Sequence, residues 1–279
     1  MRVVVFIVVF LSVVSCLPDP IPISVEPAPQ KLVISSQYIP GVGISVLITK
    51  SFSALENRQI SSEQGAQSLA VLQDLLVANA EVHLKYLDQS KRLNEITPGV
   101  YMIELETLPK ETELTLEVYD SETGLSANAV THVKPQVSLG GIAYQITQRN
   151  EERDLTIDYS INDPIGEDNW YVLNFYSQVS DEGGFNGFTE LEFLNSQSVL
   201  ISNNEPTNGE VTLRNWSRDT LAIALSNISM EHYQYLNQLK KSAQAVPFIT
   251  EPANVSGNVK GGYGFFSAQF PDVKVLTLN

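Results

Sequence analysis

One cysteine, Cys16, and three histidines, His83, His132 and His232, are all this 279-residue chain has of the residue types that usually build disulfides, hold transition metals or shuttle protons. A single thiol closes no intrachain disulfide and makes no thiolate metal site, so stability must come from ordinary packing. The histidines fall in separate segments with no second ligand at metal spacing and no His-Glu-x-x-His turn, so no metal site is expected. Surface positions suit His83 and His132 on strands and His232 in the first turn of a helix. A Gly-x-Ser-x-Gly elbow is also missing. Gly41-Val42-Gly43 and Gly262-Tyr263-Gly264 lack the third glycine and the Lys-Ser/Thr pair of a phosphate loop, and both read as turns. Positive charge is scarce, with 17 Lys and Arg against 32 Asp and Glu and a net charge of −15. That excess repels nucleic-acid phosphates and anionic lipid surfaces. No nucleic-acid partner, no cofactor and no catalytic residue is expected, and the chain is read as not an enzyme.

What is present begins at the amino end. Met1-Arg2, the apolar run from Val3 to Leu11 and the small residues before Cys16 have the parts of a secretory leader, and the run is too short to span a bilayer. Cys16 directly after Val13-Val14-Ser15 resembles a bacterial lipoprotein box. The resemblance implies a lipoprotein signal peptide over residues 1–15, cleavage before Cys16, and acylation of its thiol and new amino terminus. Several acyl chains, at roughly 0.8 kcal/mol per buried methylene, anchor a protein for practical purposes permanently. From Leu17 to Gln30, prolines at 18, 20, 22, 27 and 29 favour extended chain. Residues 16–30 therefore read as a lipidated cysteine with a proline-rich stalk, a disordered arm being the alternative.

Beyond the stalk the patterning is mostly of period two. Leu32 to Ser35 and Ile44 to Ile48 read as a hairpin across Pro40-Gly41, and Ser61 with Gln64 opens a helical pattern to Asn79 through Leu69, Leu72, Leu75 and Leu76. Val82, Leu84 and Tyr86 then alternate up to a polar turn at Asp88 to Lys91. Tyr101, Ile103 and Leu105 follow, then Leu114, Leu116 and Val118, before Asp120-Ser121-Glu122-Thr123-Gly124 reverses the chain. Strands with turn signals about every ten residues indicate antiparallel sandwiches rather than a βαβ fold. Lys134-Pro135 stops that pattern. Trp170 to Tyr176 is apolar on both faces, as a central strand would be. Ser229 caps a helix bearing Tyr233, Leu236 and Leu239 and ending near Lys240-Lys241. The fold expected is mainly β: two consecutive antiparallel β-sandwich (Ig-like) domains with short inserted helices. The first covers residues 31–135 and the second residues 136–279, with a helix near 229–243.

An ordered set of short matches runs along the mature chain: Leu32-Val33-Ile34, Ala80-Glu81-Val82, Gly99-Val100-Tyr101, Leu125-Ser126-Ala127, Asp163-Pro164 and Asn169-Trp170-Tyr171. It continues through Ile228 to Tyr233, Pro247-Phe248, Glu251-Pro252, Gly257-Asn258-Val259 and Gly262 to Ala268. In this order they resemble the Bacteroidota outer-membrane lipoproteins grouped as domain of unknown function 4249. The resemblance implies a lipid-anchored outer-membrane protein, on the periplasmic or the cell-surface face, of a kind often encoded beside TonB-dependent transporters. It supplies no catalytic residues.

Aromatic rings near the end of the second sandwich are the candidate contacts with a ligand or partner, core packing being the alternative reading, and the favoured one for Trp170. Trp170 stands at one end of the second sandwich, and Phe185 and Phe188 lie in the polar loop Gly183-Gly184-Phe185-Asn186-Gly187-Phe188. Rings at a sandwich rim stack on sugars or anchor a protein. Asp163, Glu167, Asp168, Asp181 and Glu182 carry oxygens of the kind calcium takes, but in no defined calcium-loop spacing. The function expected is a non-catalytic accessory or binding subunit held to the membrane by lipid on Cys16 and serving an outer-membrane β-barrel transporter. A structural or adhesive envelope protein is the alternative, and a hydrolase the weaker one.

Overall fold

The computed structural model describes residues 28–39, 43–52, 73–106, 108–149, 152–178, 191–193, 198–203, 205–243 and 255–278. Gln30–Ser51 and Gln59–Asn279 form one compact unit, and both sandwiches belong to it. Among the described residues no helix is long and apolar enough to cross a membrane.

The first sandwich opens with β1 (Leu32–Ile39) and β2 (Gly43–Lys50), paired antiparallel from Leu32 opposite Lys50 to Ile39 opposite Gly43. It continues through β3 (Glu81–Tyr86), β4 (Gln89–Arg92), β5 (Asn94–Thr97), β6 (Val100–Ile103), β7 (Glu113–Tyr119) and β8 (Ser126–His132). The alternation read from the sequence decides the layers. Leu114, Leu116 and Val118 of β7 are buried, as are Val82, Leu84 and Tyr86 of β3. They meet Leu32, Ile34, Ile44, Val46, Ile48 and Tyr101 of the opposing sheet in one core. Side chains on a strand alternate between faces, so the charged residues between these positions fall on the solvent side. Lys85 and Glu117 pair there, 2.5 Å apart and about half exposed, a contact worth little to stability.

Two local readings change. The β3–β4 turn sits at Leu87-Asp88, both with positive φ (45° and 59°), so Gln89–Arg92 is strand rather than the expected polar turn. Consecutive positive φ values make the type I′ geometry that suits strand twist, and neither residue is the glycine or asparagine that announces it. The expected helix ends early. Only Gln73 to Leu75 of its described part is helical, and Leu76 bridges Thr49 of β2. The buried Tyr101 holds the following residues in a non-helical bend at Asn79 (φ 58°), its hydroxyl donating to Val77 O (2.7 Å) and accepting from Ala80 N (2.9 Å).

After Val133 the chain enters a second core that begins at Val137. There β9 (Leu139–Arg149), β10 (Glu152–Ile161) and β14 (Asn208–Leu213) form a three-stranded sheet in the order β14-β10-β9. Facing it, β11 (Trp170–Gln178), β12 (Leu191–Phe193), β13 (Val199–Ile201), β15 (Thr220–Ile228) and β18 (Asp272–Thr277) form a sheet in which β11 is central, as its two-sided apolar pattern implies. Helix α1 (Met230–Ala243) follows β15.

The sandwiches are interlocked rather than strung one after the other. Two short strands near the carboxyl end, β16 (Val259–Lys260) and β17 (Gly262–Phe265), complete the first sandwich, each adding to one of its sheets. β16 pairs with β8, and β17 lies parallel to β1 with Leu32 opposite Gly262 and Ser35 opposite Phe265. Phe266, Ala268 and Phe270 fill the first core. Residues 259–270, expected in the second sandwich, therefore belong to the first, and only β18 returns to the second. The parallel β1–β17 pair also departs from the expected all-antiparallel pattern. Local alternation marks a strand but not its partner, so a two-residue and a four-residue strand far from their sheets leave no sequence signal of this pairing.

Candidate functional site

Among the described residues the chain passes between the sandwiches at Val133 to Val137, between Ile228 and Val259 by way of α1, and from Phe270 to Asp272. Local chemistry sets the middle crossing. Ser229 caps α1, its Oγ accepting from His232 N (3.1 Å), with Glu231 in the first turn and Lys240 and Lys241 in the last, matching the helix dipole. The cap turns the third helical residue inward. The His232 ring stacks on Phe265 of β17, centroids 4.5 Å apart and 9° from parallel, and Tyr235 leans on the same ring at 5.2 Å. One helix that follows the second sandwich thus pins a strand of the first. Asn258 fixes the same return, its side chain accepting from Phe266 N (2.8 Å) and donating to Phe266 O (2.7 Å) and Val130 O (3.0 Å).

A cleft at this junction is lined by Thr131, His132, Lys134, Asn227, Ser229, His232 and Gln269, and holds roughly one water molecule. His232, expected at the surface, is buried, and its Nδ1 has no hydrogen-bond partner; neither has Oε1 of Gln269. Burial drives the imidazole pKa down to about 4, against a small opposing pull from the Gln269 carboxamide. At neutral pH it is therefore an uncharged ring that packs. His83 is partly exposed on β3, and His132 is exposed at the end of β8, as expected.

The loop from Asp163 to Asn169 is a hydrogen-bonded knot. Asp163 Oδ1 accepts from the Tyr171 hydroxyl and from Asn169 Nδ2 (3.1 Å), and Asn169 Oδ1 accepts from Asn227 Nδ2 (3.2 Å). Asn203 accepts from Asn169 N (3.2 Å) and donates to Asp168 Oδ1 (2.6 Å). Burial, reinforced by the Asp163 carboxylate, raises the Tyr171 pKa and keeps the phenol a donor. Glu167 reaches across to Lys110 of the first sandwich, 2.9 Å from both oxygens. Asp163 and Asp168 thus act as acceptors that hold the loop's shape, while the half-exposed Glu167 pair with Lys110 adds little to stability. Among the described residues no group of three or more His, Cys, Asp or Glu side chains converges on one point. The knot presents Ile165 wholly exposed at its tip, an apolar contact that the turn residues around it concealed in the sequence.

Of the expected contact residues, Trp170 opens β11 opposite Ile228 and is partly exposed beside the Asp163 knot. Gln178 and Leu191, where residues 179–190 leave and rejoin the sheet, pair at the other end of β11. Nine residues of strand separate the two ends by roughly 26 Å. Trp170 thus stands at the end of β11 away from Gln178 and Leu191. Phe185, Phe188, Asp181, Glu182 and Cys16 lie outside the described residues.

The family model described as Domain of unknown function (DUF4249) matches residues 18–273. A search of curated proteins finds no match. Among solved structures, a protein of Bacteroides uniformis ATCC 8492 provisionally described as carbohydrate binding shares 9% identity. The match covers 73% of this chain and 92% of that one, and at a TM-score of 0.19 it carries no argument about this fold or its ligand.

Proposed function

This chain belongs to the family described as Domain of unknown function (DUF4249), and on that premise we propose that it is an outer-membrane lipoprotein anchored through Cys16, acting as a non-catalytic binding or accessory subunit of a TonB-dependent transporter. The observation that carries the reading is the sequence Leu11 to Cys16 behind a short apolar run and ahead of a proline-rich segment, the arrangement of a lipid anchor with a tether. The interlocked sandwiches supply a fitting body for that tether. The chain crossings among the described residues and the α1–Phe265 stack join the two cores in one compact unit, and a body that is already ordered binds without a large ordering cost. Trp170 and Ile165 give that body apolar contacts at one end of the second sandwich, and Phe185 and Phe188 are further candidates.

Mass spectrometry of the mature amino terminus tests the anchor. The expected result is an amino-terminal Cys16 carrying diacylglycerol on sulfur and a fatty acid on nitrogen; an unmodified thiol, or a mature end elsewhere, overturns it. Gentle membrane solubilisation tests the partner. Copurification with a β-barrel transporter is expected, and a solitary protein under those conditions counts against the accessory role.

A further inference from the structure

The edge strands among the described residues are guarded, with one exception. β4 is four residues long and carries Lys91 and Arg92; β5 is four residues with Glu95; β16 is two residues with Lys260. β12 and β13 are three residues each, β17 is four, β14 is six with Glu210, and β18 is six with Asp272 and Lys274. Short strands and charged side chains are how sheet edges avoid pairing with other chains. β9 has neither guard. It runs eleven residues at the open edge of the β14-β10-β9 sheet, and from Leu139 to Gln148 it contains no charged residue and no proline.

Its two faces differ. Ile142 and Ile146 point inward and pack on the second core, and Tyr144 between them donates to Thr277 O of β18 (3.3 Å). Gly141, Ala143, Gln145 and Thr147 face outward and are exposed. On that outer face Ala143 pairs with Asp158 of β10, which pairs in turn with Glu210 of β14. Two like charges directly opposite each other cost stability. Both carboxylates are exposed, and no cation pairs with either among the described residues.

We propose that β9 receives an extended strand of a partner protein as a fourth strand of this sheet, with apolar residues facing inward and Lys or Arg facing outward. The outer backbone groups of β9 from Gly141 to Thr147, which pair with no strand beyond β9 among the described residues, supply the hydrogen bonds, and alternate side chains of the guest supply the selectivity. Apolar guest residues extend the row of Ile142, Tyr144 and Ile146. A guest lysine or arginine crosses the small Ala143 to reach Asp158, whose strand lies about 10 Å from the guest backbone at two strand spacings. A second copy of the chain is the poorer guest, because its net charge of −15 adds repulsion and its own β9 brings no cation from Leu139 to Gln148. This inference rests on the second sandwich alone and does not depend on the lipid anchor or on the partner's being a transporter.

The test uses the full chain purified in mild detergent and three eight-residue probes: an alternating Lys-Val peptide, the same peptide N-methylated at alternate residues, and an alternating Glu-Val peptide. The expected result is saturable binding of the Lys-Val peptide, with slowed amide exchange confined to β9. Binding is expected to weaken at least tenfold for each of the other two probes and for the Lys-Val peptide on Ala143→Lys. Asp158→Asn with Glu210→Gln, checked for native circular dichroism, is expected to lose the preference for Lys-Val over Glu-Val. Equal binding of the N-methylated probe, or protection anywhere but β9, overturns the proposal. Protection of β9 that grows with protein concentration and no peptide also overturns it, in favour of self-pairing.

Discussion

His232 is where a single residue carries the most consequence. Its ring stacks on Phe265 at the junction, and the described residues lining the cleft around it include His132 and Lys134 but no carboxylate to receive a proton's charge. Burial lowers its pKa from the ordinary 6.5 to about 4, so the unfolded chain takes up a proton at a pH where the folded chain does not. The stability this implies is fully present above pH 6.5 and is lost as pH falls towards 4. The loss runs at up to about 1.4 kcal/mol per pH unit and reaches on the order of 3 kcal/mol. Denaturant unfolding of the protein and of His232→Phe from pH 8 to pH 4 isolates this contribution. The stability difference between them is expected to be flat above pH 6.5 and to turn steadily against the histidine below it. A difference that stays flat to pH 4 would mean the ring is hydrated in the native state. The type of this residue and its place near a helix start were legible in the sequence, but its burial was not. Residue three of a capped helix faces whatever the helix happens to dock on, and here that is a strand thirty residues further along.

At the scale of the element, β17 is the one whose formation the first sandwich depends on. Gly264 has φ of +98°, and a β-carbon there would stand 1.9 Å from the Ile34 carbonyl oxygen, well inside any real contact. Gly257 is equally close-packed, with the Gly264 carbonyl oxygen 1.7 Å from where its β-carbon would be. Only glycine lets β17 lie against β1 in this register. Gly264→Ala is therefore expected to cost more than the 1 kcal/mol or so of a simple propensity change, on the order of 3 kcal/mol, by forcing β17 off β1. Urea midpoints would measure the cost, and the loss of slowly exchanging amides at Leu32 to Ser35 would locate it. The sequence showed glycines among aromatics here and correctly implied close backbone approach. It did not say which backbone, since a parallel neighbour some 230 residues away leaves no periodic trace. The long strands were legible for the opposite reason: β7 and β10 each carry enough alternate apolar positions to declare both their type and their buried face.

For the whole molecule, the interlock predicts how the protein comes apart. Residues 31–135, which read from the sequence as a sandwich in their own right, lack β16, β17, Phe266, Ala268 and Phe270, all part of the first sandwich or its core. Expressed alone, this segment is expected to lack a dispersed amide spectrum and a cooperative thermal transition. The full chain is expected to unfold both sandwiches together, with coincident near-ultraviolet and far-ultraviolet midpoints. A folded, cooperative 31–135 fragment would show that β16 and β17 are additions to the first core and not parts of it.

What the sequence by itself determined is the class of the protein: a mainly β chain with an apolar run ahead of its one cysteine, a proline-rich stretch after it, and strands whose buried faces follow from alternation. Those properties are local, set by residues within a few positions of one another. Only the tertiary structure decided that the carboxyl-terminal strands close the first sandwich, that His232 is buried at the seam, that Trp170 stands away from the strand ends flanking residues 179–190, and that β9 is an edge strand among the described residues. Each of these depends on which distant segment a strand or helix meets, and neither burial nor edge exposure is encoded in a stretch of chain until its neighbours are in place.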